Sequence, residues 1–142
     1  MTQPDPDAPP PLHLTLRLTF PGRGMIGPGK AELLTHIRDS GSISAAGRAM
    51  GMSYKRAWSL VEEMNAAFRD PLVASARGGA GGGGAQITET GARVLALYRQ
   101  IEAATLTHGA GAIAGIEALL APAPPAADSP PTADPADIPG QK

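Results

Sequence analysis

From Leu12 to Phe20 the chain alternates strictly, with Leu12, Leu14, Leu16, Leu18 and Phe20 on one face and His13, Thr15, Arg17 and Thr19 on the other. A period of two matches the pleat of a strand, so the segment predicts a half-buried β-strand. Pro21 to Gly29 is turn material. In Lys30 to Asp39 the apolar residues Leu33, Leu34 and Ile37 fall at i, i+1 and i+4, which predicts a helix ending near Ser40 and Gly41. Ser42 or Ser44 caps a short second helix, and Gly51 supplies the left-handed residue that ends it. Ser53 caps a third helix running to about Phe68, where Asp70 and Pro71 stop it. On a helical wheel Ala57, Leu60, Val61, Met64 and Phe68 share one sector, while Lys55, Ser59, Glu62 and Ala66 lie opposite. Tyr54 and Trp58 flank the apolar sector, suited to cover the core edge with their polar atoms outward.

Beyond the third helix, 72–77 and 85–88 read as short strands joined by the glycine run 78–84, a hairpin with a flexible tip. Thr88 caps a fourth helix, along which Val94, Leu97, Tyr98, Ile101 and Leu106 recur. A further apolar set, Ile113, Ile116, Leu119 and Leu120, extends the pattern and leaves open whether the helix continues through Gly109 to Gly111. The domain predicted from these elements spans 12–120. It is mainly α with a small β-hairpin, and its helix 88–120 is the longest element.

Composition sets the ends apart. Residues 1–11 and 121–142 are rich in proline, with too little apolar surface to offset the entropy of ordering, and both read as disordered tails. The formal net charge of −1 hides a split, since 12–104 carries +4 and the two ends restore the balance. A mildly basic domain with acidic tails suits a nucleic-acid partner without requiring one. There is no cysteine, which excludes disulfides and thiolate metal sites. No apolar run reaches membrane-spanning length and the start lacks the regions of a signal peptide, so the expected location is the cytoplasm, with no membrane partner.

The chemistry follows from the middle of the chain. Two helices that cross need small residues where their backbones touch and a glycine in the turn, and Gly47, Gly51 and Ala57 meet that need. An ordinary helical hairpin has the same requirement. What favours a DNA-reading helix-turn-helix is the basic, polar opening of the second of these helices, near the end such motifs push into the major groove. Lys55 and Arg56 suit phosphates or guanine edges, Ser59 suits a base or a phosphate, and Ser53, Tyr54 and Ser44 suit the flanking strand. Glu62 and Glu63 read as solvated or partner-facing, because carboxylates repel phosphates.

The glycine run lacks the Lys-Ser/Thr and the strand-to-helix switch of a nucleotide-binding loop. Its backbone, with Gly78, Gly79, Gly81 and Gly82 free of Cβ atoms, is suited to lie against phosphates or enter a minor groove, with Arg77 at its base as the cation. A mobile linker without contacts is the plainer reading. His13, His36 and His108 lie apart at no ligand spacing, and no nucleophile elbow or paired acids occur, so no catalytic residue, metal or cofactor is expected. The fourth helix offers more apolar surface than one small domain covers, and a two-fold dimer through Val94, Leu97, Tyr98, Ile101 and Leu106 is expected.

Together, Gly41-Ser-Ile-Ser44, Gly51-Met-Ser-Tyr-Lys-Arg-Ala-Trp58, Glu63-Met-Asn65, the glycine run 78–84 and Thr88-Glu-Thr-Gly91 resemble the N-terminal DNA-binding domain of the molybdate-responsive regulator family ModE. The resemblance covers about 25–105. It implies a LysR-like winged helix-turn-helix that dimerises through its long terminal helix and regulates molybdenum transport and molybdoenzyme genes. It also implies a recognition-helix role for Ser53 to Ser59 and a wing role for Arg77 to Gly84. Family members continue into paired molybdate-binding domains with no counterpart in the sequence up to 142, so direct molybdate binding is not expected. Two other readings remain open: a protein-interaction adaptor that keeps the fold without specific DNA binding, and an oxyanion carrier.

Overall fold

A computed structural model describes residues 12–76 and 84–122. The chain divides into two units, Met1–His108 and Gly109–Lys142. The first unit opens with two short antiparallel strands, β1 (Leu18–Phe20) and β2 (Gly24–Ile26), paired Leu18 to Ile26 and Phe20 to Gly24. The strand predicted over 12–20 is therefore shorter than its alternation. Residues 13–20 do alternate between exposed and half-buried, but only the last three find a partner, because β2 is itself only three residues long, from Gly24 to the residue before Gly27. β2 lies in the segment expected to be turn throughout.

Three helices build the core. α1 (Pro28–Ser40) begins two residues earlier than its apolar pattern because Pro28 occupies the first helical position, where a missing N–H costs nothing. It ends at Gly41, whose φ of 73° is the left-handed cap. α2 (Ile43–Ala49) is capped by Ser42 rather than Ser44, the Ser42 hydroxyl accepting from Ala45 N–H. α3 (Tyr54–Ala67) is capped by Ser53, which accepts from Arg56 N–H. Gly51, at φ 72°, makes the turn between them. Where α2 crosses α3, a Cβ on Gly47 would stand 3.1 Å from that of Ala57, so the small pair sets the approach of the two backbones.

The hairpin follows as β3 (Val73–Ala76) and β4 (Gly84–Ile87), antiparallel with Val73 opposite Ile87 and Ala76 opposite Gly84. Ala85 N–H donates to the Gly41 carbonyl at 3.0 Å, tying β4 to the end of α1. α4 (Glu89–His108) closes the unit, with the Thr88 hydroxyl capping it through Gly91 N–H. Leu33, Leu34, Ile37, Val61, Met64, Leu72 and Tyr98 are the large side chains withdrawn completely from water. The architecture is a winged helix: mainly α, with the β3–β4 hairpin bonded to α3 and a second short antiparallel pair, β1–β2.

The second unit holds one described helix. α5 (Ala110–Glu117) starts after Gly109, so the apolar pattern does not run as one helix from 88 to 120. Its Ile116, and Leu119 and Leu120 just beyond it, are exposed. No helix among the described residues is long and apolar enough to cross a membrane.

Candidate nucleic-acid interface

The surface of α3 divides by angle. Ala57, Leu60, Val61 and Met64 are buried, so the helix is fixed by the face the apolar period marked. Lys55 and Ser59 point away from that face, and Tyr54, Trp58 and Asn65 lie along the edge toward the hairpin. Arg56 and Glu63 lie along the opposite edge. Ser53, Tyr54, Lys55 and Arg56 are all exposed, and Ser59 is half-buried. Among the described residues neither Lys55 nor Arg56 is paired with a carboxylate. Two cations at a helix start, with no carboxylate partner among the described residues, are available to an anion.

The hairpin is held against α3 by Asn65, a role the sequence did not reveal. Its Oδ1 accepts from Leu72 N–H at 2.8 Å and from Val73 N–H at 3.1 Å, while its Nδ2 donates to the Val73 carbonyl at 3.1 Å. One amide thus supplies three backbone bonds to Leu72 and Val73, where the chain enters β3. The signal was a polar residue on the same helix edge as Tyr54 and Trp58. The same, open end of the hairpin is closed by Thr88, whose N–H and hydroxyl both reach the Leu72 carbonyl, at 2.9 and 3.3 Å, with the hydroxyl also donating to the Pro71 carbonyl at 2.7 Å.

Between α3 and the strands lies a cleft of about 370 Å³, walled by Tyr54 and Trp58 on one side and by Val73 to Ser75 and Ala85 on the other. Arg77, Gly78, Gly79, Gly81 and Gly82, the expected wing contacts, lie outside the described residues.

Several expectations change on α2, α3 and α4. Ser44 is half-buried and accepts from Arg48 at 2.9 Å, which brings an exposed arginine to the surface of α2 that the sequence reading had not singled out. Glu63 is not simply solvated: it pairs at 3.1 Å with Lys30, a lysine only 4% exposed whose ammonium also donates to the Met25 carbonyl. Tyr98 is no interface residue on the free surface. It is 1% exposed and its hydroxyl donates to the Leu16 carbonyl at 2.8 Å, so its spacing on α4 serves the intrachain core. Val94 is half-buried against the same core. Leu97 and Ile101 are exposed together one turn apart, but Leu106 is displaced by about 140° around the helix from Ile101 and does not extend their stripe.

Among the described residues no three His, Asp or Glu side chains come together in a way that would hold a metal ion.

Known proteins are similar to much of this chain. The chain is 48% identical over 86 residues to the DNA-binding transcriptional dual regulator ModE of Escherichia coli K12, 61% of this chain and 33% of that protein. Over that stretch the chain is similar to proteins of the ModE family. It is also 39% identical over 105 residues to the molybdenum-pterin-binding protein MopA of Rhodobacter capsulatus, and 41% over 73 residues to the molybdenum transport protein ModE of Azotobacter vinelandii. The matches take up 74% and 51% of this chain. The chain spans 39% of the length of MopA and 27% of that of the Azotobacter protein. No family model matches.

Proposed function

We propose that this chain is a sequence-specific, dimeric DNA-binding transcriptional regulator of genes for molybdenum transport or molybdoenzymes. The opening of α3 enters the major groove, where Lys55, Arg56 and Ser59 meet base edges and phosphates, with Ser53, Tyr54 and Ser44 on the flanking strand. The wing, with Arg77 and its glycines, lies on the adjoining backbone or minor groove. A second copy docks on α4 through Leu97 and Ile101.

The observation that carries this reading is the pair of exposed cations at the start of α3 with no carboxylate partner among the described residues, beside a hairpin anchored to the same helix. The likeness to a DNA-binding transcriptional regulator supports it, and the molybdenum link comes from the names those relatives bear.

Fluorescence anisotropy of the chain on its own upstream duplex, across a salt series, tests it. The logarithm of the binding constant is expected to fall linearly with the logarithm of salt, because cations on phosphates release counterions. Binding that ignores salt, or no binding, refutes the reading. Adding molybdate to the titration is expected to leave the curve unchanged.

A further inference from the structure

Resting on that DNA reading, we infer that the cleft between α3 and the β3–β4 hairpin seats one phosphate–deoxyribose unit of the duplex, with Trp58 Nε1–H donating to a phosphate oxygen. A helix in the major groove and a hairpin in the adjoining minor groove straddle the sugar–phosphate strand that separates the two grooves. The space between the two elements is where that strand passes, and here it is a cleft of about 370 Å³.

Its walls have the chemistry of that occupant. Trp58 is 42% exposed and Tyr54 54%, large aromatic surface turned outward beside the cleft, suited to lie on a deoxyribose. Trp58 Nε1–H, the Tyr54 hydroxyl and the Ser75 hydroxyl have no hydrogen-bond partner among the described residues, whereas the Asn65 amide is engaged by three bonds to Leu72 and Val73. Among the described residues lining the cleft there is no carboxylate, and the exposed Lys55 follows Tyr54 at the helix start. Glu62, one turn past Trp58, bounds the site, since a phosphate placed farther along the helix meets its charge. A neutral donor on a phosphate positions the protein on the duplex and carries no sequence information.

Trp58 is the single tryptophan, so its fluorescence reports the cleft without a label. With the full chain on its upstream duplex, acrylamide quenching of Trp58 is expected to fall severalfold relative to the free protein. Trp58→Phe keeps the ring and removes the donor. It is expected to melt as the wild type does and to weaken binding about tenfold. That loss is the same on the upstream and a scrambled duplex. The salt slope stays unchanged, because an indole releases no counterion, whereas Lys55→Ala lowers the slope by about one.

If wild-type protein binds the duplex while Trp58 stays as accessible to acrylamide as before, the inference is wrong and the DNA reading stands. A loss confined to the upstream sequence overturns it too, in favour of a base contact. Absence of any wild-type binding removes the DNA reading itself.

Discussion

Gly91 shows how one missing Cβ fixes where the wing and α4 meet. The Leu72 carbonyl already receives Thr88 N–H and the Thr88 hydroxyl, and a Cβ built on Gly91 falls far inside contact distance of that oxygen and 3.1 Å from its carbon. The obstacle is backbone, so no rotamer relieves it. Gly91→Ala is expected to cost about 3 kcal/mol, read by urea unfolding, as an overpacking error against atoms that cannot move without undoing the hairpin. Asn65 makes the complementary case. Asn65→Ala orphans two N–H groups at the start of β3, and a loss of about 2 kcal/mol is expected in the same assay. Asn65→Asp keeps the oxygen that accepts both N–H groups but sets a carboxylate oxygen against the Val73 carbonyl where the donor stood, so it is expected to fall between the two proteins. Equal losses for Ala and Asp would mean that the Leu72 and Val73 bonds contribute little.

At the scale of elements, α4 is tied to the N-terminal segment by Tyr98, whose hydroxyl crosses to Leu16. Burial raises the phenol above its ordinary value of 10.0, the nearby Glu102 charge raises it further, and Arg99 opposes. Above pH 10 the unfolded chain releases a proton the folded chain still holds. The unfolded state then binds fewer protons, so stability is whole below pH 10 and declines as pH rises toward the folded value. Tyr98→Phe is expected to abolish this alkaline decline while losing about 1 kcal/mol at neutral pH with the hydrogen bond to Leu16. Denaturant unfolding of both proteins from pH 7 to 11 checks it; parallel pH profiles would exclude Tyr98 as the cause.

The same residue marks the limit of what was legible in the sequence. The buried face of α3 and its Ser53 cap were readable, because a 3.6-residue period and a cap are local properties. Tyr98 has a spacing equally suited to an interface and to a core, and only a carbonyl 82 residues away separates the two. Asn65 was opaque for the same reason, its partners lying on another element. β2 was hidden because three residues, the first of them a glycine, are too few to show a period.

For the whole molecule, the dimer is the proposal with the largest functional consequence. Leu97 and Ile101 are 46% and 38% exposed on one stripe of α4, and Val94 beside them is half-buried in the chain's own core. Two exposed aliphatic side chains one turn apart contribute little to the fold of a single copy, and a charge there is tolerated by the monomer and opposed by a packed interface. Leu97→Glu with Ile101→Glu is therefore expected to leave the melting temperature of dilute protein nearly unchanged and to halve the mass seen by sedimentation velocity. Leu106→Glu, on the other side of α4, is expected to leave that mass as it was. A dimer binds a two-fold operator with its second recognition helix already at high effective concentration, so dimer loss weakens binding to the full site far more than to a half-site. The expected pattern is a loss of about a hundredfold on the full site and less than about threefold on the half-site. Equal losses on both would mean that α4 acts on the recognition surface within one copy, and a wild-type protein that sediments as a monomer would remove this use of the stripe.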